Sequence, residues 1–498
     1  MNSVWASLLW KEWREHRWML FTLVAATLTL VPLPWLVERS QRSADVIVGL
    51  LIVAVPIVGM FLGAGIAAGE QSQRTIGFLQ SLPVQMPRPA FAKLLMALAT
   101  LWTPCVLLLA VMQGWRWIGA KPVETIPPEL AMLGYSLAAS SLLIWMAATG
   151  VNLSDEIRAG AVGLLVILIC WAALGLLLPG PGWTSPLWSR IAFAVAPAGI
   201  LMPLAEFEAQ VNAREQGWEY PRFWLLIGAS VLSNVALAAW YISRFGLVAA
   251  ARRPLNEAPT PTVQAVWLAP PRRRPMTAIL WKQTRETLPL AALGAGAMLC
   301  MAMVLAIVLS REAGSFSVSD FAHMASVICV MVGFFVAVVA GIGLFMDDFR
   351  PGLNTFWRSR PIQYDQWFGI KFSSSALLTV GVLSMGPLLN LGLAIAAEWM
   401  HGGYELMASR VEEVMYVLWI GTVAQCAAFC VATAAMVLLR RPVLAALATI
   451  LLTACSAACV EVFSPSSGTT VGVIVALIAL TSMSMAWLAV RNDWGWKH

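Results

Sequence analysis

Long apolar runs separated by short polar segments fill the chain. Runs at about 18–38, 46–69, 94–115, 130–150, 160–179 and 223–243 are followed, after a polar stretch, by runs near 288–310, 322–346, 374–397, 414–439, 443–461 and 471–490. Each is close to the roughly 20 residues that a helix needs to cross a membrane. The pattern predicts an all-α polytopic membrane protein with about 12 transmembrane helices, arranged as two six-span halves. A stretch with apolar residues at helical spacing stands ahead of each half. In the first, over residues 3–17, Trp5, Leu8, Leu9 and Trp13 share one face and Ser7, Lys11, Arg14 and Glu15 the other. In the second, residues 276–287 take the same place. This spacing predicts an amphipathic helix lying on the membrane surface. Between the fifth and sixth runs, residues 191–204 are apolar but broken by Pro197 and Pro203, which predicts a helical hairpin or re-entrant piece.

The polar segments repeat. Residues 70–93, EQSQRTIGFLQSLPVQMPRPAFAK, align without a gap on 348–371, DFRPGLNTFWRSRPIQYDQWFGIK, at a constant offset of 278. Glu70 falls on Asp348, Phe78 on Phe356, Pro83 on Pro361 and Lys93 on Lys371. Upstream, LLWKEWRE at 8–15 matches ILWKQTRE at 279–286, at an offset of 271. Two matches in the same order at nearly one offset point to an internal duplication. The domains expected are a first half at 1–252, a Pro- and Arg-rich cytoplasmic linker at 253–275, and a second half at 276–498.

Composition agrees with burial in lipid. The chain is 59% hydrophobic and 12% charged, against about 25% charged in soluble domains. Mean hydropathy is +0.76. Charge placement matters more than the net +6. From Arg244 to Arg285 eight Lys/Arg stand against Glu257 alone among acids, so this segment is expected in the cytoplasm. Counting spans outward puts both termini there too, in an inner or plasma membrane, with 23 of 32 Lys/Arg on the cytoplasmic side. Lys11, Glu12, Arg14 and Glu15 interrupt any cleavable signal sequence.

Most chemistry finds no support. No predicted span holds Lys, Arg, Asp or Glu away from its ends, which weighs against an ion-coupled transporter. The dipeptide Gly-Lys never occurs, so there is no phosphate loop and ATP hydrolysis is expected elsewhere. HExxH and GxSxG are absent, and the four His are scattered. No catalytic residue, metal ligand, cofactor or nucleic-acid partner is predicted. Cys426/Cys430 and Cys455/Cys459, each one turn apart, would suit a soft metal, but small residues at a helix seam account for them and no His or Met pattern completes a site. Asn234, Asn390 and Gln425 sit inside spans, where a cargo path or interhelical hydrogen bonding would use them.

The duplicated loop is the candidate site. Ile76, Phe78, Leu79 and Leu82 give an apolar face to a short helix that Pro83 ends, a form suited to docking a partner at the cytoplasmic surface. The LLWKEWRE helix, followed two spans later by Glu70, Thr75, Phe78-Leu79, Ser81-Leu82-Pro83-Val84 and Lys93, resembles the ABC-2 type (type V exporter) permease family. The resemblance covers each half through its third span. It implies an elbow helix and six spans per half, with a coupling helix in the first cytoplasmic loop. It also implies the permease component of an ABC transporter, an exporter driven by two copies of a separate ATPase subunit. The implied docking residues are Glu70, Thr75, Phe78, Leu79 and Pro83, then Asp348, Gly352, Phe356 and Pro361. The sequence departs from the family at Arg74, where Gly is usual, at Leu353, where Thr is expected, and at Pro351, which breaks the helix start. The alternatives are a facilitator or secondary transporter without an ATPase, and a membrane scaffold without cargo. Charge-free spans suit lipids, apolar peptides and drugs equally.

Overall fold

The computed structural model describes residues 2–30, 41–72, 75–81, 84–117, 128–151, 153, 156–178, 186–201, 220–247, 275–313, 318–346, 348–349, 363–401, 404–442, 444–450, 452–453 and 468–492. Among these there is helix and no strand. The chain divides into two compact units, Met1–Ala251 with Ala457–Phe463, and Arg252–Ser456 with Ser464–His498.

Unit 1 contains α1 (Asn2–Leu30), α2 (Gln41–Ser72), α3 (Ile76–Ser81), α4 (Pro87–Trp117), α5 (Pro128–Gly150), α6 (Glu156–Leu177), α7 (Leu187–Val195) and α8 (Tyr220–Arg244). Its centre is α2 against α5, with α1 on α4 and α6 closing over both α2 and α5. Glycine sets the α2–α5 distance. A Cβ at Gly59 would lie 2.6 Å from the Ala139 carbonyl oxygen, and one at Gly63 would collide with that of Leu143. Backbone meets backbone there, as small residues permit in membranes.

Unit 2 contains α9 (Pro275–Ala313), α10 (Val318–Met346), α11 (Tyr364–Leu383), α12 (Met385–His401), α13 (Tyr404–Leu439) and α14 (Gly468–Arg491). Here α10 lies against α13, where a Cβ at Gly341 would come within 2.6 Å of the Phe429 carbonyl oxygen, and α9 packs on α10 and α11.

Six stretches are long and apolar enough to cross a membrane: Pro87–Leu107, Arg158–Leu177, Trp224–Arg244, Ile279–Met303, Gly421–Leu439 and Gly472–Arg491. The bent pair Tyr364–Leu383 and Met385–Gly392 makes a seventh, and Val55–Gln71 and Val332–Met346 are shorter apolar stretches. The chain is a polytopic α-helical membrane protein. The described residues give fewer spans than the twelve expected.

Two local expectations are corrected. The surface helix at 3–17 is not separate: α1 runs unbroken to Leu30, since no Gly or Pro interrupts it. Its counterpart likewise continues through Pro289 within α9. The faces follow the expected division, with Leu8 buried, Trp5, Leu9 and Trp13 half-buried, and Ser7, Arg14 and Glu15 exposed; the buried stripe also takes in Glu12 and His16, which that division left unassigned. Leu8, Glu12, His16, Met19, Leu23 and Thr27 are buried, while Trp10, Trp18 and Phe21 are exposed. In lipid an aromatic side chain gains little by turning inward, whereas a charged one must find partners inside. The second correction is the span expected at 374–397, which bends by 41° at Ser384. Pro387 supplies no N–H for the Leu383 carbonyl and its ring crowds that oxygen. The expected helix at 191–204 stops as Pro197 predicts: α7 ends at Val195, Trp171 Nε1 donates to the Pro197 carbonyl at 3.0 Å, and residues 202–219 lie outside the described residues.

Candidate functional site

The two ends of the segment 70–93 meet in an ion network. Glu70 ends the apolar part of α2 and Lys93 lies in the second turn of α4; 6% and 5% of them is exposed. Lys93 Nζ is 2.9 Å from Glu70 Oε1, 3.3 Å from Glu12 and 3.8 Å from Glu15. Lys11 Nζ donates to Glu70 Oε1 at 2.6 Å and lies 3.5 Å from both Glu12 and Glu15. Two ammonium groups thus face three carboxylates. The loop is fastened to the opening helix by charge.

Thr75 links this network to the short helix. Its hydroxyl donates to Glu70 Oε2, its N–H donates to the Glu70 carbonyl at 2.9 Å, and its own carbonyl accepts from Leu79 N–H at 3.0 Å. Thr75 is the N-cap of α3, and Glu70 anchors it. At the other end Gln80 Nε2 donates to the Gly246 carbonyl at 3.0 Å. Gly246 has φ +80°, a left-handed conformation that favours glycine, and a Cβ there would displace the methyl end of Met86.

The electrostatics follow from these contacts. Burial pushes the Glu70 carboxyl up, but the Lys93 charge and hydrogen bonds from Lys11, Thr75 and Lys93 outweigh it and hold it at about 2. Burial and the neighbouring Lys93 oppose the charge on Lys11, yet Glu70 and Glu12 leave it raised. His16 is pushed down by burial, which exceeds the opposing pull of Glu12, whose carbonyl lies 3.0 Å from Nδ1.

Unit 2 builds a smaller network from the aligned residues. Lys371 pairs with Asp348 and donates to the Leu344 carbonyl at 3.0 Å, and Lys282 lies 3.9 Å from Asp348. Gln283 stands where unit 1 has Glu12, and its Nε2 donates to Ser375 Oγ at 2.7 Å. Aromatic rings surround Lys371: Nζ lies 5.4 Å from the Phe345 and Trp367 centroids, and Phe345 stacks on Phe368 at 5.5 Å. With Gln283 in the place of Glu12, the described part of this site sets aromatic rings beside Lys371.

The predicted docking residues are therefore divided. Glu70, Thr75 and Leu79 belong to one construction, and Glu70 and Leu79 are buried, Leu79 at 3% exposure. Asp348 is buried in the second network. Phe78 lies on α3, but its side chain, like Pro83, Gly352, Phe356 and Pro361, lies outside the described residues. What the sequence reading missed is the partnership of Lys11, Glu12 and Lys93 with Glu70. Its visible signal was the repeated spacing of a Lys in the opening helix, an acid after the second run and a Lys before the third.

Glu12, Glu15 and Glu70 can bring oxygens together as metal ligands would, but Lys11 and Lys93 lie among them and offset two of the three charges. Cys426 and Cys430 are free thiols on α13, and Cys455 and Cys459 lie outside the described residues. Family models, curated proteins and solved structures were all compared with the chain, and none matches it.

Proposed function

We propose that the chain is the membrane-spanning component of an ABC-type exporter, with two related six-span halves fused in one chain and driven by a separate ATPase. The observation that carries this reading is the ion network that ties the short helix α3, through Thr75 and Glu70, to α1 and α4. A force applied to α3 would reach two membrane helices without a compliant joint. The duplication is supported by the pairing of Lys371 with Asp348, aligned on Lys93 and Glu70, and by Gly341 standing 278 residues after Gly63 in the same role. Two copies of the ATPase would dock on residues 70–93 and 348–371 from the cytoplasm. Ser81 and Gln85 present exposed surface beside the buried Leu79.

A second reading has its own support. Buried Lys93, Glu70 and Glu12 form a cluster of paired charges of the kind proton-coupled carriers use. One experiment separates the two. The chain, purified at native expression level, should bring down a phosphate-loop ATPase whose hydrolysis rises with the chain in lipid vesicles. Ser81→Trp and Gln85→Arg should weaken that association without shifting the melting temperature. Solute movement down an imposed pH gradient, in vesicles holding the chain alone, would favour the carrier.

A further inference from the structure

Unit 2 carries a file of buried polar side chains that leads from Lys371 along α11. From Lys371 the buried face of α11 presents Ser375 and Thr379 at successive turns before Leu383. Gln283 of α9 lies against Ser375. At the bend, the Ser384 hydroxyl meets that of Thr422 at 3.4 Å. One turn further along α13, Gln425 Nε2 donates to the Cys329 carbonyl of α10 at 3.0 Å. Gln425 and Leu383 together cover Gly333, so this glutamine sits beside the end of α11. Ser326 stands one turn before Cys329, and Gly386, just past the bend, abuts Ala325 and Cys329.

Four side-chain oxygens along this file have no hydrogen-bond partner: Gln283 Oε1, Thr379 Oγ1, Gln425 Oε1 and Ser326 Oγ. Their residues are between 1% and 3% exposed. Helical hydroxyls elsewhere satisfy themselves against the carbonyl one turn back, as Thr100, Thr433, Thr449 and Thr481 do. Thr379 and Ser326 do not. Orphaned polar atoms are costly in an apolar interior, and most so in a bilayer.

The fold does not require this polarity. Four and eight residues past Lys371 stand Ser375 and Thr379; four and eight past Lys93 stand Ala97 and Leu101, both buried. Gln425 stands four residues before Phe429, which Gly341 touches; Ala139 stands four before Leu143, which Gly63 touches. Ala139 is also fully buried. Equivalent packing positions take apolar residues in one unit and polar ones in the other.

We propose that the file, closed in this structure, opens into a water-filled cleft within unit 2 that admits small neutral solutes able to donate hydrogen bonds. Acceptor oxygens line it, the Lys371–Asp348 ion pair closes one end, and no carboxylate follows Asp348 along it among the described residues. The proposal holds with or without an ATPase partner.

The test uses the full chain in detergent and in vesicles, with its eight native cysteines replaced by alanine or serine. Ser375→Cys and Thr379→Cys are compared with Ala97→Cys and Leu101→Cys for reaction with 2-hydroxyethyl methanethiosulfonate, a neutral water-soluble reagent. A thiol reacts as thiolate and needs water, so the unit 2 positions should react at least roughly ten-fold faster. Equal rates in the two units would overturn the cleft. The native-cysteine chain provides a second measurement. Thr379→Val and Gln425→Leu should leave the melting temperature unchanged or lower it, because each removes a water ligand. A higher melting temperature for either would show an orphan in a dry seam and overturn the proposal as well.

Discussion

Removing Lys93 is the sharpest perturbation of the ion network. Lys93→Met keeps the stem that fills the space and deletes only the charge. At an effective dielectric of about 20, a unit charge 2.9 Å from Glu70 and 3.3 Å from Glu12 gains about 5–6 and about 5 kcal/mol of attraction. Desolvation of three buried ions and repulsion from Lys11 offset much of this. Glu15 is half-exposed, so its pull is screened and adds little. The loss of one member of a buried pair typically costs about 3–5 kcal/mol, and we expect a value in that range. Glu12 would then depend on Lys11 alone, at 3.5 Å and partly in water. Adding Glu12→Gln, the residue unit 2 has at this place, should therefore restore about 1–3 kcal/mol. The assay is unfolding of purified protein by SDS titration and by tryptophan fluorescence on heating, for which the chain offers 24 Trp. If Lys93→Met changes stability by less than about 0.5 kcal/mol, or if Glu12→Gln adds to the damage, the network is not the fastening described.

The remaining predictions address other parts of the molecule. Glu70 has its folded pKa at about 2 against an ordinary 4.5, so its stabilising contribution is complete above pH 4.5 and lost as pH falls from 4.5 towards 2; Glu70→Gln should flatten the acid limb of a melting-temperature profile. Gly63→Ala and Gly341→Ala should each cost about 1–3 kcal/mol by forcing a methyl against a carbonyl. Gly228→Ala, where a Cβ meets nothing within 4 Å, should instead gain up to about 1 kcal/mol of helix propensity, read in the same unfolding assay. Gln264→Cys should be labelled by an impermeant thiol reagent only after the membrane is opened; labelling in intact cells would reverse the topology drawn from the basic residues of 244–285.

Helix positions were legible because apolar runs of spanning length leave the backbone few alternatives to internal hydrogen bonding. The ends of α5, α8 and α14 fall within about four residues of the expected spans at 130–150, 223–243 and 471–490. The faces were harder to read. An amphipathic rule that puts Lys11 and Glu15 outward says nothing of Glu12 and His16, which turn inward, Glu12 to Lys93, 81 residues away. Glu70 and Lys93 looked like the edges of a docking loop because sequence order separates them, while folding closes the gap to 2.9 Å. The bend at Ser384 had a local cue in Pro387, which an averaged apolar run conceals. Gln425 was singled out in the sequence, but its relation to Thr379 and Gln283 emerges only when three helices converge.

The glycine contacts of α2 with α5 and of α10 with α13 dictate where each unit can deform. A side-chain seam slides by changing rotamers, but a backbone resting on a carbonyl oxygen has nothing to rotate out of the way. Shifting α2 along α5 by one turn, about 5.4 Å, would bring Ala67, which carries a Cβ, close to the spot Gly63 vacates. Each of these helix pairs is consequently a strut that can tilt as a whole but cannot shear. Any stroke that changes the interior of a unit has to run along its other seams.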